Sequence, residues 1–226
     1  MENKWMVADD ALRKVKIKST KDNDLISVTR HSEQLRCLGI GTDAAVFQHI
    51  AEPSFAFKVF ADDKLSKMKV EQEVYEKLGN AEFFPIFYGT GSNYLVLSFE
   101  PGVTLYDCLL TGIHIPPQVL VDIEAARTYA FSKGLNPRDI HLKNILLHEG
   151  RAKLLDISEY LKPGDDRRWE YLKKGYVEYY HLIDRKVIPL WIIETVRKWF
   201  NQANSSSFDF QEFTNKLIKL FKSIIT

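Results

Sequence analysis

The chain has 226 residues, of which 45% are hydrophobic and 12% aromatic, so it can bury a core as one domain or as two closely joined lobes. Its 31 basic and 30 acidic residues leave a net charge of +1, and we therefore expect neither nucleic acid nor an anionic membrane as a partner. No apolar run approaches the ~20 residues that cross a bilayer. Cys37 and Cys108 show no pairing pattern and no leader is visible, which favours a reducing, cytoplasmic location.

The first 35 residues mix charges with short β-prone pieces at Val15–Ile17 and Leu25–Val28. They predict an N-terminal arm or an extra strand over residues 1–35. The basic stretch Arg13–Lys18 could touch a phosphate-bearing partner, but a solvated face is the better interpretation.

A glycine-rich stretch follows at Leu38–Phe47 and reads L-G-I-G-T-D-A-A-V-F. Gly39 and Gly41 would let the backbone close over an anion, because no side chain blocks the approach. The next apolar run, Phe55–Phe60, has the alternation of a strand and contains one charge, Lys58. A lysine is costly to bury unless it is paired, so Lys58 either finds a carboxylate or points to water from an edge strand.

The stretch Lys69–Leu78 is helical in pattern and supplies candidate carboxylates. Helical spacing puts Glu71 on the same face as three apolar residues, Val74, Tyr75 and Leu78. We therefore predict that Glu71 faces inward, and keep Glu73 as the alternative. Further on, Asn93–Leu105 is typical of a buried strand that ends in a Pro101–Gly102 break, a pattern found in many α/β proteins.

Two apolar runs, Asn144–Leu147 and Ala152–Leu155, flank a Glu149–Gly150 turn and predict a tight hairpin. Polar groups that suit magnesium stand at its outer ends, namely Asp139, Asn144 and Asp156. The alternative is a polar loop around an ordinary hairpin.

The remaining chain is predicted to be helical. An apolar stripe begins after Pro116 and stops at Gly134, a typical helix end. Helices are also expected over Trp169–Tyr180 and Leu190–Phe200. After a linker at Asn204–Ser207, a last helix would carry an apolar face of Phe210, Phe213, Leu217, Leu220, Phe221 and Ile224.

The run R-D-I-H-L-K-N-I-L-L, followed by K-L-L-D-I-S, resembles the catalytic loop and metal-binding triplet of the eukaryotic-type (Hanks-type) protein kinase superfamily. That family has H-R-D-x-x-x-x-N followed by D-F-G. Pro137 stands where His is usual, and Ile157–Ser158 replaces Phe-Gly.

The resemblance implies a two-lobed α+β fold with a small antiparallel-sheet lobe over residues 36–100 and a shortened helical large lobe over residues 101–226. It implies ATP and Mg²⁺ as cofactors. Asp139 would be the catalytic aspartate, with Lys58 and Glu71 as the phosphate-positioning pair. Asn144 and Asp156 would be the metal ligands. The nucleotide would contact Gly39, Ile40, Gly41, Thr42, Ala44, Val46, Lys58, Ser98, Phe99 and Glu100.

Asp165 or Asp166 would brace the catalytic loop by the same resemblance. The segment after Asp156 is short for a full large lobe, and in size the chain is similar to compact bacterial Ser/Thr kinases and RIO kinases. His141 instead resembles the D-x-H-x-x-N pattern of aminoglycoside and choline kinases.

Three functions follow as hypotheses. The first is a protein Ser/Thr kinase whose partners are ATP and a protein bearing a hydroxyl side chain. The second is a kinase for a small hydroxyl-bearing molecule, and the third is a nucleotide-binding pseudokinase that serves as an interaction module.

Overall fold

The computed structural model describes residues 4–20, 24–202 and 215–216, and within them the fold is α+β. The strands are β1 Lys16–Lys18, β2 Ser27–Arg30, β3 Leu35–Ile40, β4 Ala44–His49, β5 Glu52–Phe60, β6 Phe87–Thr90, β7 Tyr94–Ser98, β8 Val103–Thr104, β9 Ile145–His148 and β10 Arg151–Leu154. The α-helices are α1 Asp9–Leu12, α2 Leu65–Leu78, α3 Leu105–Thr111, α4 Gln118–Ser132, α5 Arg168–Tyr179 and α6 Leu190–Gln202. Short 3-10 turns lie at Lys4–Ala8, Asp62–Lys64 and Tyr180–Leu182.

The largest sheet is antiparallel and has the strand order β3-β4-β5-β7-β6. Alternation along the central strand β5 sends Phe57 and Val59 to one face and Ala56 and Phe60 to the other. Lys58 falls on the same face as Ala56 and Phe60, the face against which α2 packs. The period of two therefore directs this lysine into the interior rather than to water.

Helix α2 forms where the apolar positions recur at helical spacing, and its buried face consists of Met68, Glu71, Val74, Tyr75 and Leu78. Gly79, with a φ of 62°, ends the helix in a conformation that costs glycine little. Residues of this helix share one core cluster with α4 and with the hairpin β9–β10.

At Pro101–Gly102 the chain leaves the five-stranded sheet and enters a second antiparallel sheet, of order β10-β9-β8. Gly102 has a φ of 135°, and a side chain there would collide with the Leu147 carbonyl of β9. The predicted hairpin is present, with Ile145 paired to Leu154 and His148 to Arg151. The division into two lobes at this point stays a prediction.

The N-terminal arm forms its own two-stranded sheet, β1–β2, instead of adding a strand to the large sheet. Its apolar residues pack on the outer face of the large sheet in a second core cluster, which includes Trp5, Leu12, Val15 and Ile26 from the arm and Phe47, Phe57 and Tyr94 from the sheet. The arm is therefore part of the packed fold.

The predicted helices after Pro116 correspond to α4, α5 and α6. The predicted last helix, from Phe210 to Ile224, lies outside the described residues apart from residues 215–216. Among the helices that are described, none combines the length and apolarity that a membrane crossing demands.

The packing of the arm gives the first prediction. Leu12 is 2% exposed in the second core cluster, whereas Leu25 is 61% exposed in the same arm. We expect Leu12→Ala to lower the free energy of unfolding by about 3 kcal/mol, because it opens a cavity. Leu25→Ala should change it by under about 0.5 kcal/mol. Urea denaturation followed by circular dichroism measures both, and equal midpoints for the two variants would show that the arm is not part of the cooperative unit.

Candidate active site

Lys58 of β5 is the centre of the candidate site. Its Nζ donates hydrogen bonds of 2.7 Å to both carboxylate oxygens of Glu71 on α2, and lies 3.4 Å from Asp156 Oδ1. The side chain of Glu71 is 1% exposed and that of Lys58 is 14% exposed. Glu73, the alternative partner, instead pairs with Lys77 at the surface. The structure thus places Glu71, and not Glu73, against the buried lysine.

The two carboxylates stabilise the charge of Lys58, although they repel each other. Burial alone would lower the pKa of Lys58, but the Asp156 and Glu71 carboxylates outweigh it and keep that pKa above its ordinary value. Burial raises the pKa of Glu71, with Lys58 opposing the rise. Burial also works against the ionised form of Asp156, but Lys58 and the Ser158 N–H hold the pKa of Asp156 below its ordinary value. Lys58 therefore stays protonated between two carboxylates.

The base of the β9–β10 hairpin brings Asn144 and Asp156 together, because the Leu155 N–H donates to the Asn144 carbonyl at 2.9 Å. Asp156 Oδ1 accepts from Lys58 and from the Ser158 N–H, and Asn144 donates its Nδ2 to the Asp139 carbonyl. The Ser158 side chain also hydrogen-bonds to the Asp156 carboxylate, and these bonds leave the Asn144 amide oxygen without a protein partner among the described residues.

One carboxylate oxygen and one amide oxygen fit Mg²⁺, which takes few protein ligands and completes its shell with water and phosphate. No cluster of three or more His, Cys, Asp or Glu side chains that could hold a metal by itself occurs in the described part of the chain. The donor set therefore suits a metal that arrives with a nucleotide better than a permanent protein-bound one.

Asp139 lies in the loop before β9 and has a φ of 57°, a left-handed conformation that is uncommon outside glycine. Its N–H donates to Asp166 Oδ2 at 2.7 Å, and its carboxylate accepts from Arg168 Nη1 at 2.5 Å. Burial raises the pKa of Asp139 to about 6, and the charge of Arg168 opposes the rise. Two residues from the segment after Asp156 thus hold Asp139, Asp166 through its backbone N–H and Arg168 through its carboxylate.

Of the two candidates for the brace of this loop, the structure places Asp166 there. Its second oxygen, Oδ1, accepts from the Arg168 N–H at 3.1 Å, while Asp165 accepts from the Arg167 N–H at 2.8 Å. Arg138 donates to the Pro163 carbonyl.

The glycine-rich stretch forms the end of β3, a turn and the start of β4. Gly39 pairs with Val46 and Ile40 with Ala45, so Gly39, Ile40 and Val46 lie in the ladder. Gly41 and Thr42 lie in the turn and Ala44 begins β4; the Gly41 N–H closes the turn by donating to the Ala44 carbonyl at 2.9 Å.

Two contacts hold this turn from outside. The Ile26 N–H of the arm donates to the Gly41 carbonyl at 2.9 Å, and Asp43 pairs with Lys67 of α2 at 2.6 Å. The glycine-rich turn is therefore connected both to the arm and to the helix that carries Glu71.

Three of the residues expected to contact the nucleotide, Ser98, Phe99 and Glu100, lie at the end of β7 and directly after it. The Ser98 N–H donates to the Ile86 carbonyl and the Phe99 N–H to the Ser54 carbonyl, both at 2.8 Å. The Glu100 N–H has no backbone partner among the described residues, and its side chain is fixed by Ser98 Oγ and Lys153. Of these three residues, Glu100 is the one whose N–H stays available among the described residues.

Sequence reasoning missed Arg168, Ile26 and the ion pair between Asp122 and Arg151. Asp122 accepts from Arg151 Nε at 2.9 Å and from the Ala152 N–H at 2.8 Å, so it ties α4 to the hairpin. The sequence does mark Asp122, because this charged residue falls on the apolar stripe of α4 between Val119 and Ala126. Nothing in the local pattern marks Arg168 or Ile26.

Taken together, a lysine paired with a helix carboxylate, a glycine-rich turn between β3 and β4, and the Asp139, Asn144 and Asp156 side chains around the base of the hairpin define a site of the protein-kinase-like class. A comparison with known proteins agrees. The chain is 32% identical over 177 residues to a Bacillus subtilis (strain 168) protein named "Putative serine/threonine-protein kinase YrzF". The aligned region covers 76% of this chain and 82% of the relative. The chain belongs to that protein-kinase-like family. A scan against models of known protein families finds no match.

The buried ion pair yields a prediction about stability. Lys58→Met would leave the Glu71 carboxylate buried beside Asp156 with no cation, and we expect it to lower the free energy of unfolding by about 3 kcal/mol. The double variant Lys58→Met/Glu71→Gln removes the uncompensated charge and should regain most of that loss.

Chemical denaturation of the wild type and both variants is the measurement, with Lys69→Met on the exposed face of α2 as the control. If the double variant is no more stable than Lys58→Met, the unpaired Glu71 charge is not the source of the destabilisation.

Proposed function

We propose that the protein is an ATP- and Mg²⁺-dependent phosphotransferase, and specifically a protein serine/threonine kinase. The observation that carries the proposal is Lys58 held between Glu71 and Asp156, since one ammonium group then links the phosphate-binding region to the metal ligand. The name of the Bacillus relative supports a protein hydroxyl as the acceptor.

In this proposal each residue has one task. The glycine-rich turn covers the phosphates, Lys58 contacts the α- and β-phosphates, and the Glu100 N–H meets the adenine edge. Mg²⁺, held by Asp156 and Asn144, would neutralise charge on the β- and γ-phosphates. Asp139 orients the acceptor hydroxyl and takes its proton. Positioning and charge neutralisation supply the rate enhancement, as is typical of phosphoryl transfer.

A small-molecule kinase is the second candidate, because His141 completes the D-x-H-x-x-N pattern. Burial, helped by the charge of Arg168, lowers the pKa of His141 to about 4, so the ring is neutral at pH 7. Its Nδ1 accepts from the Lys143 N–H at 3.3 Å, so the ring also stabilises the loop locally.

The free thiols of Cys37 and Cys108 support a reducing compartment, and we place the reaction in the cytoplasm.

The direct test is incubation of the purified protein with ATP labelled at the γ-phosphate and Mg²⁺, alone and with a generic protein acceptor. Label on protein that disappears when EDTA removes the metal is the expected result. Label on small hydroxyl compounds alone would favour the second candidate. ATP binding with no transfer to any acceptor would identify a pseudokinase.

Asp156→Asn tests the metal role. We expect loss of transfer and weaker nucleotide binding in Mg²⁺, with binding in EDTA nearly unchanged, because the carboxylate acts through the metal. The unfolding free energy should change by under about 1 kcal/mol, since the side chain is 38% exposed at the rim of the site. Isothermal titration calorimetry with and without Mg²⁺ measures the difference, and Asp62→Asn, at an exposed position before α2, is the control. Equal affinities of Asp156→Asn and wild type in Mg²⁺ would rule out the role.

Asp139→Asn tests the acceptor role. We expect the rate of transfer to fall by about 10²-fold or more while the affinity for ATP changes little, because Asp139 faces the acceptor and not the nucleotide. Steady-state kinetics gives kcat and the KM for ATP separately. A wild-type kcat for this variant would mean that the loop has been assigned wrongly.

A further inference from the structure

Arg168, the first residue of α5, reaches back to the loop that carries Asp139. Its Nη1 donates to Asp139 Oδ1 at 2.5 Å, and its Nε lies 3.8 Å from Asp166 Oδ2. Each of the two side chains in the first pair is about one-third exposed, so the contact lies at the rim of the site. Such a guanidinium–carboxylate contact is charge-assisted and directional.

The contact is built into the backbone. Asp166 accepts from the N–H of Asp139 with one oxygen and from the N–H of Arg168 with the other, so one carboxylate fixes both residues relative to each other. Asp139 has a φ of 57° and Arg167 a φ of 52°, two left-handed positions on either side of that carboxylate. Positions of this kind persist where the surrounding structure holds them, and they occur preferentially at functional sites. These bonds therefore fix the backbone position from which the Arg168 side chain reaches Asp139.

The charges around Asp139 make Arg168 distinctive. Asp156, Asp166 and Glu159 present negative charge to the Asp139 carboxylate, and Arg168 presents positive charge. His141, two residues along the same loop, is neutral at pH 7 and does not supply a cation. The positive charge beside the acceptor-facing carboxylate thus comes from a residue 29 positions later in the chain.

We propose that Arg168 is the positioning residue of the phosphoryl transfer, holding the Asp139 carboxylate in the one orientation in which its second oxygen faces the acceptor hydroxyl. The inference rests on the proposed function. Arg168 occupies Oδ1 and leaves Oδ2 for the acceptor. The acceptor O–H proton goes to Oδ2 as the acceptor oxygen bonds to the γ-phosphorus. The bond from that phosphorus to the bridging oxygen breaks, and ADP leaves with the electron pair.

The test compares three variants of the full chain. Arg168→Gln removes the charge, Arg168→Lys keeps it, and Arg167→Gln removes a neighbouring exposed charge whose side chain makes no contact with Asp139. For Arg168→Gln we expect kcat to fall by about 10-fold to 10²-fold, the cost of a misplaced catalytic group, with the KM for ATP within about twofold of wild type. Arg168→Lys should regain part of the rate, because an ammonium keeps the charge but not the planar fork. Arg167→Gln should keep the wild-type kcat.

A double-mutant cycle with Asp139→Asn separates positioning from a general structural role. If Arg168 acts through Asp139, adding Arg168→Gln to Asp139→Asn should lower kcat by under about twofold, whereas independent effects would multiply. Thermal melting of each variant shows whether it is folded. If Arg168→Gln does not fold, Arg168→Lys takes its place in the cycle.

Three results would overturn the inference. The first is an unchanged kcat in Arg168→Gln. The second is a raised kcat in that variant, which would mean that Arg168 inhibits Asp139. The third is multiplicative effects of the two substitutions on kcat in the double-mutant cycle. A wild-type protein that transfers no label would instead remove the proposed function and the inference with it. If the wild type transfers label and substitution of Arg168 leaves kcat unchanged, only the inference about Arg168 is overturned.

Discussion

The buried ammonium of Lys58 is the interaction on which the rest of the site depends. A charge on the inner face of a central strand is expensive, and it is tolerated because Glu71 from α2 and Asp156 from the base of the hairpin both pair with it. The three residues belong to three different elements. Satisfying one charge therefore fixes the strand, the helix and the hairpin relative to one another.

A second carboxylate, that of Asp166, holds the loop that carries Asp139. Asp166 ties the backbone of Asp139 to that of Arg168, and Arg168 returns to the Asp139 side chain. The loop before the hairpin is thus held by the segment that follows the hairpin. This closed set of contacts joins Asp139 to that later segment through both its backbone and its side chain.

The glycine-rich turn is supported in an unusual way, since the N-terminal arm bonds to it through Ile26 and packs its own apolar residues on the outer face of the sheet. The arm, predicted as an N-terminal arm or an extra strand, therefore belongs to the same packed unit as the glycine-rich turn. Asp43 adds a link from the same turn to α2. Movements of the arm, the turn and the helix are expected to be coupled through these contacts.

Much of the site could be predicted from the chain alone, because its elements obey local rules. Helical spacing distinguished Glu71 from Glu73, the alternation of β5 marked Lys58, and the turn at Glu149–Gly150 marked the hairpin that joins Asn144 to Asp156. These features depend on periods of two and 3.6 residues, which a single sequence displays.

The sequence by itself determined which residues carry charge, the hairpin at Glu149–Gly150, and the face of α2 on which Glu71 lies. The tertiary structure alone decided that Asp166, and not Asp165, braces the loop, that Arg168 meets Asp139, and that Ile26 meets Gly41. Those contacts join segments without a common period, and their partners are selected by how the chain crosses in space, where each buried polar group must find a partner.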